Sequence, residues 1–366
     1  MQALRKSYPN CAFVGAGGEA MVAEGLRTLV SPDRLAVNGF VDPLRRLPEL
    51  FSILRELQSA FVEQPPDVFV GVDFNVFNLL LERHLKQREI STVHYVSPSV
   101  YAWRRGRVRR VARSADMLLA LYPFEAPYYQ GLGLPVVYVG HPLADEIDPD
   151  AGSEEARQMA CESLGLTGGS ECIALLPGSR LSEVRQMAPI FLAAACEIAA
   201  TRGEVDFVIP CVRPEINQWI DEHRADYPDI DIVTYAGDAR VALTACHGAL
   251  VKSGTGTLEA MLLRRPMVVS YKLGELSYQL IRRMVRTAHF ALPNILAGRR
   301  LVPELIQGDA EPRELAKKLC ALLDKRQANP EYLAVFATLH AKLRQGANDR
   351  AAQAVAMWLP DQSKVR

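Results

Sequence analysis

"LLPGSRLSEVRQ" (residues 175–186) passes from an apolar run into a Pro-Gly-Ser-Arg turn, then into a segment patterned like the first turns of a helix. Strand, tight turn and helix form the repeating unit of a parallel α/β sheet, so this stretch sets the fold class. The turn itself has two readings. A helix N-terminus offers unpaired N–H groups and a partial positive charge, and with Ser179 and Arg180 beside it the turn would seat a phosphate. Pro-Gly is equally a common turn dipeptide that needs no ligand.

The same unit recurs on both sides of this stretch. Upstream stand "CAFVGAG" (11–17), "DVFVGVD" (67–73), "STVHYV" (91–96), "DMLLALY" (116–122) and "PVVYVG" (135–140). The second series is "CIALLPG" (172–178), "DFVIPC" (206–211), "DIVTYAG" (231–237), "GALVKSG" (248–254) and "PMVVSYK" (266–272). Short continuous apolar runs bounded by Gly or Pro are the mark of buried parallel strands. Two series in 366 residues predict two doubly wound, Rossmann-like domains, residues 1–145 and 146–366, with a polar linker near the start of 145–170. Ligands of such sheets sit beyond the carboxyl ends of the strands, which singles out Asp73, Pro177–Arg180, Gly140-His141 and Ser253-Gly254. Two sheets facing each other would bring these ends to one cleft.

Composition narrows the function classes. Lys plus Arg and Asp plus Glu number 42 each, so the net charge is zero and a general nucleic-acid binder is not expected. The seven cysteines are scattered without a CxxC pair, which fits buried thiols of a reducing compartment better than a disulfide framework. Nor does the chain contain an HExxH or a Cys/His cluster, so no metal and no cofactor is expected. The acidic triplets "DPD" (148–150) and "DID" (229–231) read as chance acids. No apolar run reaches spanning length, and the expectation is a soluble or peripheral protein.

Within this frame the strongest chemical signal is "VKSGTGTLEAML" (251–262). A strand ends, five small residues turn, and a helix begins with Glu259 in its first turns. Ser253, Gly254 and Thr255 let a backbone approach a pyrophosphate, and Glu259 would accept ribose hydroxyls. A plain Ser/Thr cap with a nearby acid is the competing reading. Asp73, ending its strand ahead of "FNVFN", is a candidate general base if half-buried, or else a helix cap. Trp103 precedes six arginines within 104–113, among them Arg104, Arg105 and Arg107, with no acid between them. That pattern suits an anionic membrane surface or a lipid phosphate, although charge runs are usually solvated faces. The helical spacing in residues 44–61 reads as a core face, and His94 and His141 as packed histidines.

Taken together and in order, "HYVSPSVYAWRRGRV", "VGHPLAD", "LLPGSRLSEV", "SGTGTLEAML", "PMVVSYK" and "LPNILAGRRLVPELIQ" resemble the lipid-A-disaccharide synthases, from residue 1 to about 355. The resemblance implies a GT-B glycosyltransferase, cytoplasmic and peripheral on the inner membrane, with a homodimer as one option. It implies transfer from UDP-2,3-diacylglucosamine to 2,3-diacylglucosamine 1-phosphate, with inversion and without a metal. By position it makes Asp73 the base on the acceptor 6-hydroxyl. Arg180 would meet the donor's diphosphate, with Ser179 beside it; Ser253, Gly254 and Thr255 fall on the diphosphate turn, Glu259 on the ribose acid, and Asn294 in the nucleotide pocket. A UDP-sugar 2-epimerase and an inactive nucleotide-binding remnant are the alternatives.

The chain departs from that family at two places. The family's "DAPDFN" is here "DFNVFN" (73–78), which leaves a lone acid. Family members also open with a strand and a "GEASGD" turn, whereas this sequence starts inside the following helix. The expectation is a first sheet lacking a central strand, from a start codon chosen too far downstream, and a poorly active chain.

Overall fold

Residues 1–31, 34, 47–99, 106–166, 169–274, 289–326 and 330–360 are described by a computed structural model. The chain divides into two units, Met1–Asp145 with Leu343–Arg366, and Glu146–Lys342.

The first unit holds strands β1 (Phe13–Gly15), β2 (Leu26–Thr28), β3 (Phe69–Val72), β4 (Thr92–Tyr95), β5 (Met117–Ala120) and β6 (Val136–Tyr138). All pair in parallel, β1 with β2 and the rest in the order β3-β4-β5-β6. Among the described residues β1 pairs only with β2, and β3 only with β4, so each leaves an open edge. Alternation along the strands sorts the core into two faces. Met117 and Leu119, with Val93 and Val139, pack beneath Ala351, Ala354 and Val355 of the helix Ala347–Ala356. Leu118 faces the other way, toward Val108 and Val111 of the helix Gly106–Ser114. A further cluster joins Ile53, Leu57 and Phe61 of the helix Leu47–Glu63 to Phe77, Leu81 and Leu85 of the helix Asn75–Lys86. Of the apolar spacing read in residues 44–61, Leu54, Leu57 and Phe61 are core, whereas Leu47 and Phe51 are exposed and residues 44–46 lie outside the described residues.

Residues 343–366, read from sequence as the end of the second domain, lie in the first unit. The docking is specific. The Asp145 carboxylate accepts from the N–H groups of Gly346 (2.9 Å) and Ala347 (2.6 Å), capping the terminal helix. Gly140 has φ +93° and lies so close to Gln345 and the Leu343 carbonyl that a Cβ would meet them at 2.6 and 2.7 Å. The "GHPLAD" stretch therefore forms the seat of the returning chain.

The second unit is a six-stranded parallel sheet: β7 (Glu171–Leu176), β8 (Val205–Pro210), β9 (Asp231–Tyr235), β10 (Gly248–Lys252), β11 (Met267–Tyr271) and β12 (Glu304–Ile306). Its order is β12-β11-β10-β7-β8-β9. Progression runs outward one way from β7 and the other way from β10, so the strand order reverses between these two neighbours. Helices Leu181–Arg202 and Pro312–Arg326 contribute Phe191, Leu192, Leu315 and Leu319 to the core over this sheet, and all four are fully buried. Five of the seven free cysteines are buried, acting as small apolar side chains.

Candidate active site

A strand-order reversal leaves a crevice beyond the sheet, because the chains leaving the two central strands turn to opposite faces. Val251 of β10 stands opposite Leu176 of β7, so the turns Pro177–Arg180 and Ser253–Thr257 leave from adjacent positions. Two of the sequence-read stretches are thereby brought together in the second unit.

Glu183, absent from the sequence reading, organises this crevice. Its carboxylate accepts from Ser179 N–H (3.2 Å) and from Lys252 Nζ (2.9 Å), and lies 3.5 Å from Arg180 Nη1. Burial pushes its pKa up, but Lys252, the Ser179 N–H and Arg180 outweigh that and hold it below the usual carboxylate value. The helix start is thus partly satisfied by an internal anion, while Arg180 stays 73% exposed beside it. Gly178 has φ +137°, and a Cβ there would sit 2.6 Å from that of Glu183, so the turn requires glycine. The signal in the sequence was an acid one turn into the helix, a position that caps as often as it binds.

Across the crevice, Ser253 N–H donates to Ser270 O (3.0 Å) and its hydroxyl to Phe290 O (3.3 Å). Thr257 is buried and donates to Gly254 O (2.8 Å), pinning the turn from behind. Gly254 and Thr255 are exposed. Glu259 is half-buried, and burial raises its pKa, countered by Arg240 and reinforced by Asp238.

Asn294 departs from its expected role. It is fully buried, and its amide is saturated inside the protein. Nδ2 donates to Val302 O (3.0 Å) and Glu304 Oε1 (2.9 Å); Oδ1 accepts from Leu301 N–H (2.6 Å) and Val302 N–H (2.7 Å). A side chain so engaged clasps the segment leading into β12 and has no group left for a nucleotide.

In the first unit Asp73 lies at the carboxyl end of β3, its N–H donating to Tyr95 O (2.8 Å). It is exposed rather than half-buried. Asp73 and Phe74 adopt φ of +46° and +38°, consecutive left-handed residues of which neither is glycine. Such a pair costs on the order of 2 kcal/mol and persists only where the surroundings enforce it. Asn78 does so, donating from Nδ2 to Val72 O (3.1 Å) and Asp73 O (2.9 Å). Asn75 Nδ2 donates to Asp73 Oδ1 (2.9 Å). His94 and Glu82 stand behind Asn75, both wholly buried. His141 is buried too; its Nδ1 accepts from Leu143 N–H (3.2 Å), and burial lowers its pKa to about 4 against the pull of Asp145.

The helix Gly106–Ser114 turns Val108 and Val111 inward and exposes Arg107, Arg109, Arg110 and Arg113. Trp103, Arg104 and Arg105 lie outside the described residues. Among the described residues no group of three His, Cys, Asp or Glu could hold a metal ion, and no helix is long and apolar enough to cross a membrane.

Solved structures share this architecture. The UDP-GlcNAc 2-epimerase from Neisseria meningitidis, bound to UDP-GlcNAc, superposes with TM-score 0.62 at 13% identity, covering 94% of this chain and 99% of that one. A glycosyltransferase from Rickettsia africae gives 0.59 at 8% identity, covering 97% and 92%. Two parallel α/β units with these likenesses define a GT-B-fold protein. Residues 1–358 match the model of the lipid-A-disaccharide synthetase family. The lipid-A-disaccharide synthase of Saccharophagus degradans is 42% identical over 361 residues, 98% of this chain and 92% of the relative. That of Azotobacter vinelandii is 43% identical over 357 residues, 97% and 92%. The chain belongs to the lipid-A-disaccharide synthetase family and is a glycosyltransferase.

Proposed function

We propose that the chain transfers 2,3-diacylglucosamine from its UDP donor to the 6-hydroxyl of 2,3-diacylglucosamine 1-phosphate, with inversion, yielding the disaccharide 1-phosphate and UDP. Family membership along the whole chain carries this reading. The exposed carboxylate at the end of β3 supports the assignment of the base. As the acceptor oxygen bonds to the donor's anomeric carbon, Asp73 takes the hydroxyl proton. The bond from that carbon to the diphosphate oxygen breaks, and its electron pair leaves on UDP. Arg180, Ser179 and the Ser253–Thr255 turn stabilise the growing negative charge. Glu259 receives the ribose hydroxyls. Asn294 is left out of the ligand contacts because its amide is spent internally.

The arginine face of the helix Gly106–Ser114, with Trp103, Arg104 and Arg105 preceding it in the sequence, would hold the enzyme on an anionic bilayer. Each basic residue near such a surface contributes about 1 kcal/mol. Binding to phosphatidylglycerol vesicles should therefore weaken as salt rises, and salt-insensitive binding counts against this contact.

Incubation with both lipid substrates, read by mass spectrometry, should give disaccharide and UDP in equal amounts. Asp73→Asn should lower turnover by about 100-fold or more while leaving UDP affinity unchanged. Conversion of UDP-GlcNAc to its 2-epimer with no disaccharide formed overturns the transfer reading.

A further inference from the structure

Behind Asp73 runs a continuous chain of hydrogen-bonding side chains reaching into the core. Asn75 Nδ2 meets Asp73 Oδ1 at 2.9 Å, Asn75 Oδ1 meets His94 Nε2 at 3.0 Å, and His94 Nδ1 meets Glu82 Oε1 at 2.7 Å. Glu82 and His94 have no exposed surface at all. The sheet is shaped around them: Gly71 stands opposite His94 in the register, and a Cβ on Gly71 would lie 2.1 Å from Glu82 Oε1. Glu82 Oε2 is buried and has no hydrogen-bond partner among the described residues. Packing alone does not call for this arrangement, since a buried carboxylate–imidazole pair is commonly matched or bettered by apolar residues of similar volume.

Proton accounting gives the chain a direction. Asn75 Oδ1 is only an acceptor, so His94 Nε2 must carry a hydrogen. Glu82 and His94 Nδ1 share one more, which leaves the pair net neutral wherever that proton rests. With its carbonyl held by Nε2–H, the Asn75 amide has only its NH2 end to offer Asp73. Reversing the amide would set its oxygen against the Asp73 carboxylate, and this contact fixes the orientation. Asp73 is thereby kept as an acceptor, one oxygen anchored to Asn75 and the other available to a hydroxyl.

We propose that Asn75, His94 and Glu82 are positioning residues that orient the ionised carboxylate of Asp73 for taking the acceptor proton. This rests on the reading of Asp73 as the base. It explains how an exposed side chain on a strained turn is given one orientation, and it assigns work to two buried polar residues that no substrate can touch.

A double-mutant cycle on the full chain tests it, with disaccharide formation as the readout. Asn75→Ala should lower kcat by about tenfold or more, with the acceptor KM and UDP affinity unchanged. In the Asp73→Asn background the same substitution should have no further effect. Equal losses in both backgrounds mean a merely structural role and overturn the proposal. Full kcat in Asn75→Ala beside a crippled Asp73→Asn overturns it while sparing the base assignment. Full kcat in Asp73→Asn rejects the base assignment and the proposal with it. Should Asn75→Ala fail to fold, 15N NMR of the His94 ring in the unmodified enzyme decides: a protonated Nε2 is expected, and a bare Nε2 overturns the proposal.

Discussion

Replacing Asn294 by Ala separates two roles for this residue, internal clasp and nucleotide contact. The side chain is fully buried and makes four hydrogen bonds. Its loss matters unequally among the partners. Glu304 Oε1 keeps the N–H groups of Phe290 (3.0 Å) and Ala291 (2.7 Å), so that bond is the least costly. The amides of Leu301 and Val302 are left without their acceptor, and Val302 is fully buried. At about 1.5 kcal/mol for each stranded N–H, Asn294→Ala should destabilise the second unit by about 3 kcal/mol. For a unit of this size that lowers Tm by about 6–12 °C. Asn294→Asp should cost more, since it sets a second carboxylate against Glu304. The assay is urea unfolding followed by Trp219 fluorescence in a Trp103→Phe, Trp358→Phe background; Trp219 packs against this unit's core. UDP affinity is measured in parallel below the transition. A loss under about 1 kcal/mol together with a UDP affinity about tenfold weaker would show the side chain to be a ligand contact and refute the reasoning.

Gly178→Ala should destabilise the second unit by about 2–4 kcal/mol, because it forces a Cβ into Glu183 at a positive φ; an unchanged urea midpoint would disprove the close approach. Arg180→Ala, at a side chain 73% exposed, should leave Tm alone yet weaken UDP about tenfold by calorimetry, and unaltered affinity rejects its place on the diphosphate. Two groups of the first unit set opposed pH dependences. Burial raises Glu125 from 4.5 to about 7, so the folded form holds the extra proton; stability is full below pH 4.5 and falls by roughly 3 kcal/mol as pH rises through 7. His141, lowered from 6.5 to about 4, contributes stability above pH 6.5 that is lost, again roughly 3 kcal/mol, as pH falls through 4. The two windows overlap between pH 4.5 and 6.5, where the slopes cancel, so Glu125→Gln should unmask there a rise of stability with pH of roughly 3 kcal/mol, and an unaltered profile by urea unfolding would reject the assignment.

Ten of the strands coincide with apolar runs readable in the sequence, because buried parallel strands present a continuous β-branched signature. The two that escaped, β2 (Leu26–Thr28) and β12 (Glu304–Ile306), carry Arg27 and Glu304 within three residues and so form no continuous apolar run. Asp73, the Arg180 turn and the 253–257 turn follow the carboxyl ends of β3, β7 and β10, as their strand-like runs in the sequence predicted. What stayed illegible was set by partners distant in sequence. Asn294 looks like a loop polar residue until the backbone of Leu301 and Val302 closes on it. His94 reads as one residue of a strand until register places it against Gly71 and Glu82. Glu183 looks like an ordinary first-turn acid until Lys252, from a neighbouring strand, reaches it.

The first unit is built from both flanks of the chain, and the second is an insertion within it. A nascent polypeptide emerging from the ribosome can consolidate its middle while its opening part still waits for Ala351, Ala354 and Val355 to cover Val93, Met117 and Leu119. Those bare strands are what a chaperone or protease would meet in a chain cut short before Asp145 receives its two amides. The helix Ala347–Ala356 thus closes the first unit late, and a chain lacking it would leave Val93, Met117 and Leu119 uncovered.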